Sequence, residues 1–319
     1  MKMGKRSCSS KFGTAKKNKI PKAGCGDVNF QSRFPNFEIM MKVAVIGAGV
    51  MGSGIALCSI QAGYPTVLFD VHPEALEKGI TYIQTQLDVA VSKGKTTTEK
   101  AAKALSLLST TPDRSTLVAD FIIEAVLEQL PIKRELFGFL ETINGPQTIF
   151  ATNTSSIPIT QIAAALKHPE RVVGVHFFNP AHIMKLVEVI KGVATDPAVA
   201  EKAFAWSQSL GKTTVYAADA PGFIVNRVAR HYYVESLKAL EENTASLESI
   251  DRLMESSGFK MGPFKLMDLI GVDTNFSVTS SMFQQFHYDP KFRPNRIQQQ
   301  KVEAGHHGKK TKQGFYKYD

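Results

Sequence analysis

The sequence predicts an α/β chain, a doubly wound and mostly parallel sheet followed by a smaller all-α region. Three observations carry this expectation. Lys42 to Asp70 reads strand, glycine-rich turn, helix, strand and acidic residue. Apolar runs and helical segments then alternate as far as Tyr216, and beyond Ala220 the chain shows helical spacing and almost no strand. Repeated βα units build a parallel sheet whose ligands lie at the carboxyl ends of its strands. The expected bounds are 1–40 for a basic leader, 41–220 for the α/β domain and 221–319 for the helical one.

The elements follow in order. Val43 to Ile46 is an uninterrupted apolar run, the pattern of a strand buried on both faces. It ends in Gly47-Ala48-Gly49-Val50-Met51-Gly52, from which a helix is expected to about Ala62, and Thr66 to Phe69 then delivers Asp70. Gly47 suits the tight turn, Gly49 lets a pyrophosphate approach the backbone, and Gly52 lets helix and strand pack closely. The helix N-terminus turns free N–H groups and its positive dipole end toward the phosphates. Asp70 stands where a carboxylate accepts hydrogen bonds from ribose hydroxyls and repels a 2′-phosphate. This Rossmann-type pattern therefore favours NAD over NADP. Val43 to Ile60 lacks charge, but its glycines and marginal length argue against a membrane span.

Pro73 to Ala90 repeats Leu76, Ile80, Ile83 and Leu87 at helical spacing, and Glu99 to Leu108 resumes that pattern. Leu117 to Val126 contains a strand and Lys133 to Leu140 a helix. Thr148 to Ala151 is a strand, Ile159 to Leu166 a helix, and Arg171 to Phe178 and Leu186 to Ile190 are strands. Pro197 to Leu210 is a helix closed by Gly211, and Thr213 to Tyr216 a last strand. Helices are expected from Ile224 to about Glu242, from Leu247 to Ser256, and after Gly271. Their wide apolar faces suggest burial against the first domain or a twin subunit.

The chain has 319 residues, 43% hydrophobic and 21% charged, with a net charge of +9. Nine basic residues against two acidic ones precede Met41, so the leader carries +7 and the body is almost neutral. No nucleic-acid partner is expected. The leader is basic and acid-poor, lacks the apolar core of a signal peptide, and ends in Met40-Met41, so it reads as a disordered extension or an early start. Cys8, Cys25 and Cys58 lack metal-ligand spacing, so no metal site is expected, and so sparse a set fits a reducing, cytoplasmic compartment.

Four polar residues stand where chemistry could occur. His176 ends an apolar strand, Glu188 interrupts another twelve residues later, Ser155 follows a third strand, and Asn226 opens the first helix of the second domain. A carboxylate in an apolar strand needs a partner, and an imidazole is a natural one, held in one tautomer and made more basic. Taken singly, packing or capping accounts for each. Together with the dinucleotide loop they converge on one site.

The stretches GAGVMGSGIA, EAVLEQLPIKRELF, TNTSSIPI, GVHFFNPAHIMKLVEV, DAPGFIVNR, MGPFKLMDLIGVDT and GFYKY resemble the 3-hydroxyacyl-CoA dehydrogenases, most closely the short two-domain kind that includes 3-hydroxybutyryl-CoA dehydrogenases. The likeness covers everything but the leader. It implies oxidation of an (S)-3-hydroxyacyl-CoA by NAD, with His176 as general base, Glu188 orienting it, and Ser155 and Asn226 on the substrate. It places Glu128, Lys133, Ser155, Asn179 and Lys310 beside the nicotinamide, and implies a homodimer through the helical domain. Lys265, Lys312 and Gln313 depart from the family's usual residues, and Ile83 to Ala90 lacks its usual polar CoA contacts. The alternatives are a non-catalytic NAD-binding relative like the lens crystallins of this fold, and a dehydrogenase of a free 3-hydroxy acid or sugar acid.

Overall fold

The computed structural model describes residues 41–319, so the expectations for the leader, with Cys8 and Cys25, lie outside the described residues. Eight strands form one sheet: β1 Val43–Ile46, β2 Thr66–Phe69, β3 Leu108–Thr111, β4 Phe121–Glu124, β5 Ile149–Thr152, β6 Val172–Phe177, β7 Leu186–Lys191 and β8 Thr213–Ala218, in the order β3-β2-β1-β4-β5-β6-β7-β8. Strands β1 to β6 pair in parallel, β7 runs antiparallel to β6, and β8 is parallel to β7. The reversal at β7 sets His176 directly opposite Glu188.

Alternation along the strands divides the core into two layers. Val43, Val45, Phe121, Ile123, Val173 and Val175 face one layer, which includes Ile55 and Leu57 of α1 Val50–Gln61 and Ile83 and Leu87 of α2 Pro73–Ser92. Ala104 of α3 Thr98–Leu105 packs there too. Ala44, Ile46, Ile122 and Phe150 face the other, which includes Phe137 and Leu140 of α4 Leu130–Ile143 and Ile159 and Ile162 of α5 Ile159–Ala163. The next helix, α6 Pro197–Ser209, brings Ala203 and Trp206 to the first layer, where Trp206 stacks against Phe121 with ring centroids 4.4 Å apart.

Beyond the sheet come α7 Val225–Glu241, α8 Leu247–Ser256, α9 Pro263–Ile270, α10 Val272–Gln285 and α11 Arg296–Glu303. Tyr233, Leu237, Phe264, Met267, Val272 and Phe315 form their core. Buried Asp268 ties in the C-terminal segment, accepting from the Phe315 and Tyr316 N–H groups and the Tyr318 hydroxyl, each at 2.9 Å.

Three elements depart from expectation. The helix expected over Glu99 to Leu108 ends at Leu105, and Leu108 opens β3, an edge strand too short and too exposed to show a buried pattern. Eight-residue α9 is compressed between Gly262 and Gly271. Polar α11 buries Gln298, so no apolar stripe announces it. No helix among the described residues is long and apolar enough to cross a membrane.

The turn after β1 depends on two glycines. Gly47 has φ +102°, and a Cβ there would lie 2.7 Å from the Ala125 carbonyl oxygen. A Cβ on Gly52 would overlap the Gly47 carbonyl oxygen, whereas one on Gly49 would meet nothing within 4 Å. Gly52→Ala is therefore expected to destabilise the fold by about 3 kcal/mol, and Gly49→Ala by less than about 1 kcal/mol. Thermal unfolding of both variants checks the contrast.

Candidate active site

The loop from Gly47 to Gly52 lies at the carboxyl end of β1 and leads directly into α1. Gly49 is the N-cap residue and contributes no side-chain cap, so the first N–H groups of α1 stay open to a ligand. Open space at Gly49 and an uncapped helix end suit a pyrophosphate, which needs close backbone approach and free donors. Asp70, half-buried at the end of β2, accepts from Ala48 N–H at 2.9 Å and His72 N–H at 3.0 Å. It fastens the glycine loop to the neighbouring strand. These residues fit NAD.

Next along the sheet lies a charge cluster built around a buried lysine. Lys133 of α4 is 1% exposed, and its Nζ stands 2.6 Å from Glu124 Oε1 and 3.1 Å from Glu128 Oε2. A buried cation is tolerable when paired and hydrogen-bonded in this way. Glu124 also accepts from Thr152 Oγ1 and Val126 N–H, each at 2.7 Å. Glu128 accepts from Thr154 Oγ1 at 2.6 Å and from the Ser155 and Ser156 N–H groups at 2.9 and 3.0 Å. Burial alone would push the Glu128 carboxyl up, but the Lys133 charge and the hydrogen bonds from Thr154, Lys133 and Ser155 outweigh it and hold its pKa below the usual carboxylate range. The cluster fixes the segment that carries Ser155.

Ser155 Oγ lies 3.0 Å from His176 Nε2, and His176 Nδ1 lies 2.7 Å from Glu188 Oε2. His176 is 3% exposed and Glu188 is fully buried. The other oxygen of Glu188 accepts from the Ile224 and Val225 N–H groups, both at 3.0 Å, where α7 begins. The carboxylate thus closes a helix N-terminus, whose positive dipole end offsets part of its desolvation. A carboxylate acceptor at Nδ1 places the neutral ring's proton there and leaves the Nε2 lone pair facing Ser155. The assembly is a base held in one tautomer, with a hydroxyl at its reactive nitrogen.

The structure brings Glu128, Lys133, Ser155, His176 and Glu188 into one connected network, and Asn226 lies half-buried one residue beyond Val225. Asn179 is exposed two residues past the end of β6. Lys310 stands apart from the network: its Nζ donates to Asp273 Oδ2 at 2.6 Å, near the start of α10. Sequence reasoning passes over Glu124 and Thr154. Glu124 carries the same signal as Glu188, a carboxylate ending the apolar strand FIIE. Lys265, at a departure from the family pattern, pairs with Glu255 at 3.0 Å.

Two family models match the chain: "3-hydroxyacyl-CoA dehydrogenase, NAD binding domain" over residues 42–220 and "3-hydroxyacyl-CoA dehydrogenase, C-terminal domain" over 222–318. The chain is 48% identical over 276 residues to the 3-hydroxyadipyl-CoA dehydrogenase of Escherichia coli K12, an alignment that covers 86% of this chain and 58% of that one. The chain thus spans little more than half the length of that relative. It is 40% identical over 280 residues to the probable 3-hydroxybutyryl-CoA dehydrogenase of Bacillus subtilis, covering 87% of this chain and 97% of the relative. A crystal structure of (S)-3-hydroxybutyryl-CoA dehydrogenase from Ralstonia eutropha superposes with a TM-score of 0.85 at 36% identity, covering 88% of this chain and 99% of that one. The glycine cradle, the buried imidazole–carboxylate pair and these matches agree, and the chain belongs to the 3-hydroxyacyl-CoA dehydrogenase family of NAD-binding oxidoreductases.

Proposed function

We propose that the chain oxidises (S)-3-hydroxyacyl-CoA thioesters of short chain length to 3-ketoacyl-CoA, with NAD as oxidant. The observation that carries this reading is the Ser155–His176–Glu188 chain of contacts at the carboxyl ends of β5 and β6, along the same edge of the sheet as the fastened glycine loop. The 3-hydroxyacyl-CoA dehydrogenase activities for which the Escherichia coli and Bacillus subtilis relatives are named support the substrate class.

When bound, NAD supplies the acceptor for the hydride that leaves C3. His176 Nε2 takes the proton of the substrate's 3-hydroxyl as the C–O bond becomes a carbonyl. Ser155 Oγ, already at hydrogen-bond distance from that nitrogen, holds the reacting oxygen. Glu188 keeps the ring in the tautomer with Nδ1 protonated, and its charge stabilises the imidazolium that forms. Asn226, in the first turn of α7, is assigned to the thioester end. Glu128, Lys133, Asn179 and Lys310 are assigned to the nicotinamide side. The helical region is assigned as the surface of a homodimer and the cytoplasm as the compartment.

His176→Ala is expected to lower kcat by about two to four orders of magnitude while NADH binding persists. The assay follows NADH absorbance with acetoacetyl-CoA, and NADH fluorescence titration reads binding. A variant with undiminished kcat overturns the role of His176. Glu188→Gln keeps an acceptor near Nδ1 but removes the charge, so kcat should fall by about 10²-fold. Because the two side chains act as one unit, the double variant should be scarcely slower than His176→Ala, and a fully additive loss counts against their coupling. Comparing free 3-hydroxybutyrate with its CoA thioester separates this reading from a free-acid dehydrogenase, and no turnover of acetoacetyl-CoA points to a non-catalytic relative.

A further inference from the structure

Arg230 lies in the second turn of α7 and is 3% exposed. Other deeply buried cations have carboxylate partners, Lys133 with Glu124 and Glu128 and Arg171 with Glu141. Among the described residues Arg230 has none. Its Nη1 donates to the Asn275 carbonyl at 3.1 Å and to Thr279 Oγ1 at 3.0 Å, both in α10, and its guanidinium stands 5.3 Å from the Tyr233 ring centroid. Nε is buried without any partner, and Nη2 donates to no described residue. Burial pulls the guanidinium pKa down to about 10, which leaves it charged at neutral pH. A buried, charged and uncompensated group is costly, so it calls for a ligand that supplies the missing charge.

The unpartnered edge of this guanidinium has a definite shape, although its Nε is closed off from solvent in the chain alone. Nε–H and Nη2–H point the same way from one edge, the fork that receives a carboxylate through two parallel hydrogen bonds. Its place in the fold is equally specific. Both helices that hold Arg230 reach the active site. The first, α7, starts on Glu188, and Asn226 precedes Arg230 by four residues, on the same face and one turn away. The second, α10, ends at Gln285, whose Nε2 donates to the Ser156 carbonyl at 2.8 Å, next to Ser155. The backbone position of Arg230 therefore stands about 6 Å along the helix axis from that of the residue assigned to the thioester.

We propose that the Nε–Nη2 edge of Arg230 binds a carboxylate at the far end of the acyl chain. On this account the preferred substrate is the thioester of a short dicarboxylic acid, hydroxylated at C3. This rests on the dehydrogenase reading above and adds the acyl class and the residue that selects it. An acyl chain of six carbons spans about one helical turn from thioester to terminal carboxylate, comparable with the offset of residues 226 and 230 along α7. A straight-chain acyl group of equal length would bring a methyl to a charged fork and leave both donors unmet.

The test compares 3-hydroxyadipyl-CoA with 3-hydroxyhexanoyl-CoA, which has a methyl in place of the carboxylate, as substrates for the full chain with NAD. The wild type is expected to favour the dicarboxylyl substrate by about 10²-fold in kcat/KM. Arg230→Met should erase that preference, mainly through KM for the dicarboxylyl substrate, and Arg230→Lys should keep part of it because a charge without the fork remains. Equal kcat/KM for the two substrates in the wild type, or a preference that survives Arg230→Met, overturns the proposal and leaves the dehydrogenase reading standing. No turnover of either thioester by the wild type overturns both. Should Arg230→Met fail to fold, competition by adipyl-CoA and hexanoyl-CoA against acetoacetyl-CoA in the wild type reads the same discrimination. Adipyl-CoA should inhibit about 10²-fold more tightly, and equal inhibition overturns the role of Arg230.

Discussion

The hydrogen bond between His176 Nδ1 and the fully buried Glu188 carboxylate organises more of this molecule than any other contact. It exists because one strand is reversed. Were β7 parallel to β6, its connection would have to cross over the sheet, and the register that sets residue 176 against 188 would not arise. The carboxylate is sustained by what surrounds it, an imidazole on one oxygen and two N–H groups of α7 on the other. One side chain thereby holds the imidazole, caps the first helix after the sheet and links the sheet to the helical region.

The same physical solution recurs at Lys133. A buried charge there is matched on both sides, by Glu124 from a strand end and by Glu128 from the loop that follows. The two clusters meet at the segment of Thr154 to Ser156, which donates hydrogen bonds to Glu128 and presents the Ser155 hydroxyl to His176. Local order at this loop comes from ionic and polar contacts, since only a short stretch of apolar chain is available at the sheet's carboxyl edge. Arg230 breaks the pattern: it is equally buried and lacks the counterpart.

Most of the fold is legible in the sequence because strands buried on both faces are mostly apolar, as VAVI in β1 and the Phe121-Ile122-Ile123 run of β4 show. The helices α2 and α7 announce themselves by apolar spacing. The edge strand LSTT does not, since half its residues face solvent. Nor does α11, RIQQQKVE, whose one fully buried residue is a glutamine. Within the site, Glu188 is readable as a carboxylate inside an apolar strand, and its pairing with His176 follows once the ladder is known. Which oxygen accepts which donor depends on the α7 N-terminus, and no local pattern encodes that. Arg230 is opaque for a different reason. In the sequence it is one basic residue among several on an amphipathic helix, and only three-dimensional packing removes it from water.

The tie between Glu188 and the opening N–H groups of α7 has a mechanical meaning. The peptide units that lead from the sheet into the helical region are latched to the same carboxylate that holds the imidazole. A swing of the helices about that junction cannot leave the latch intact, because it would strip donors from one oxygen and concentrate the negative charge on the other. Posture of the helical half and the hydrogen bonding of the Glu188 carboxylate are therefore one variable, and a shift at that junction reaches His176 through a single side chain.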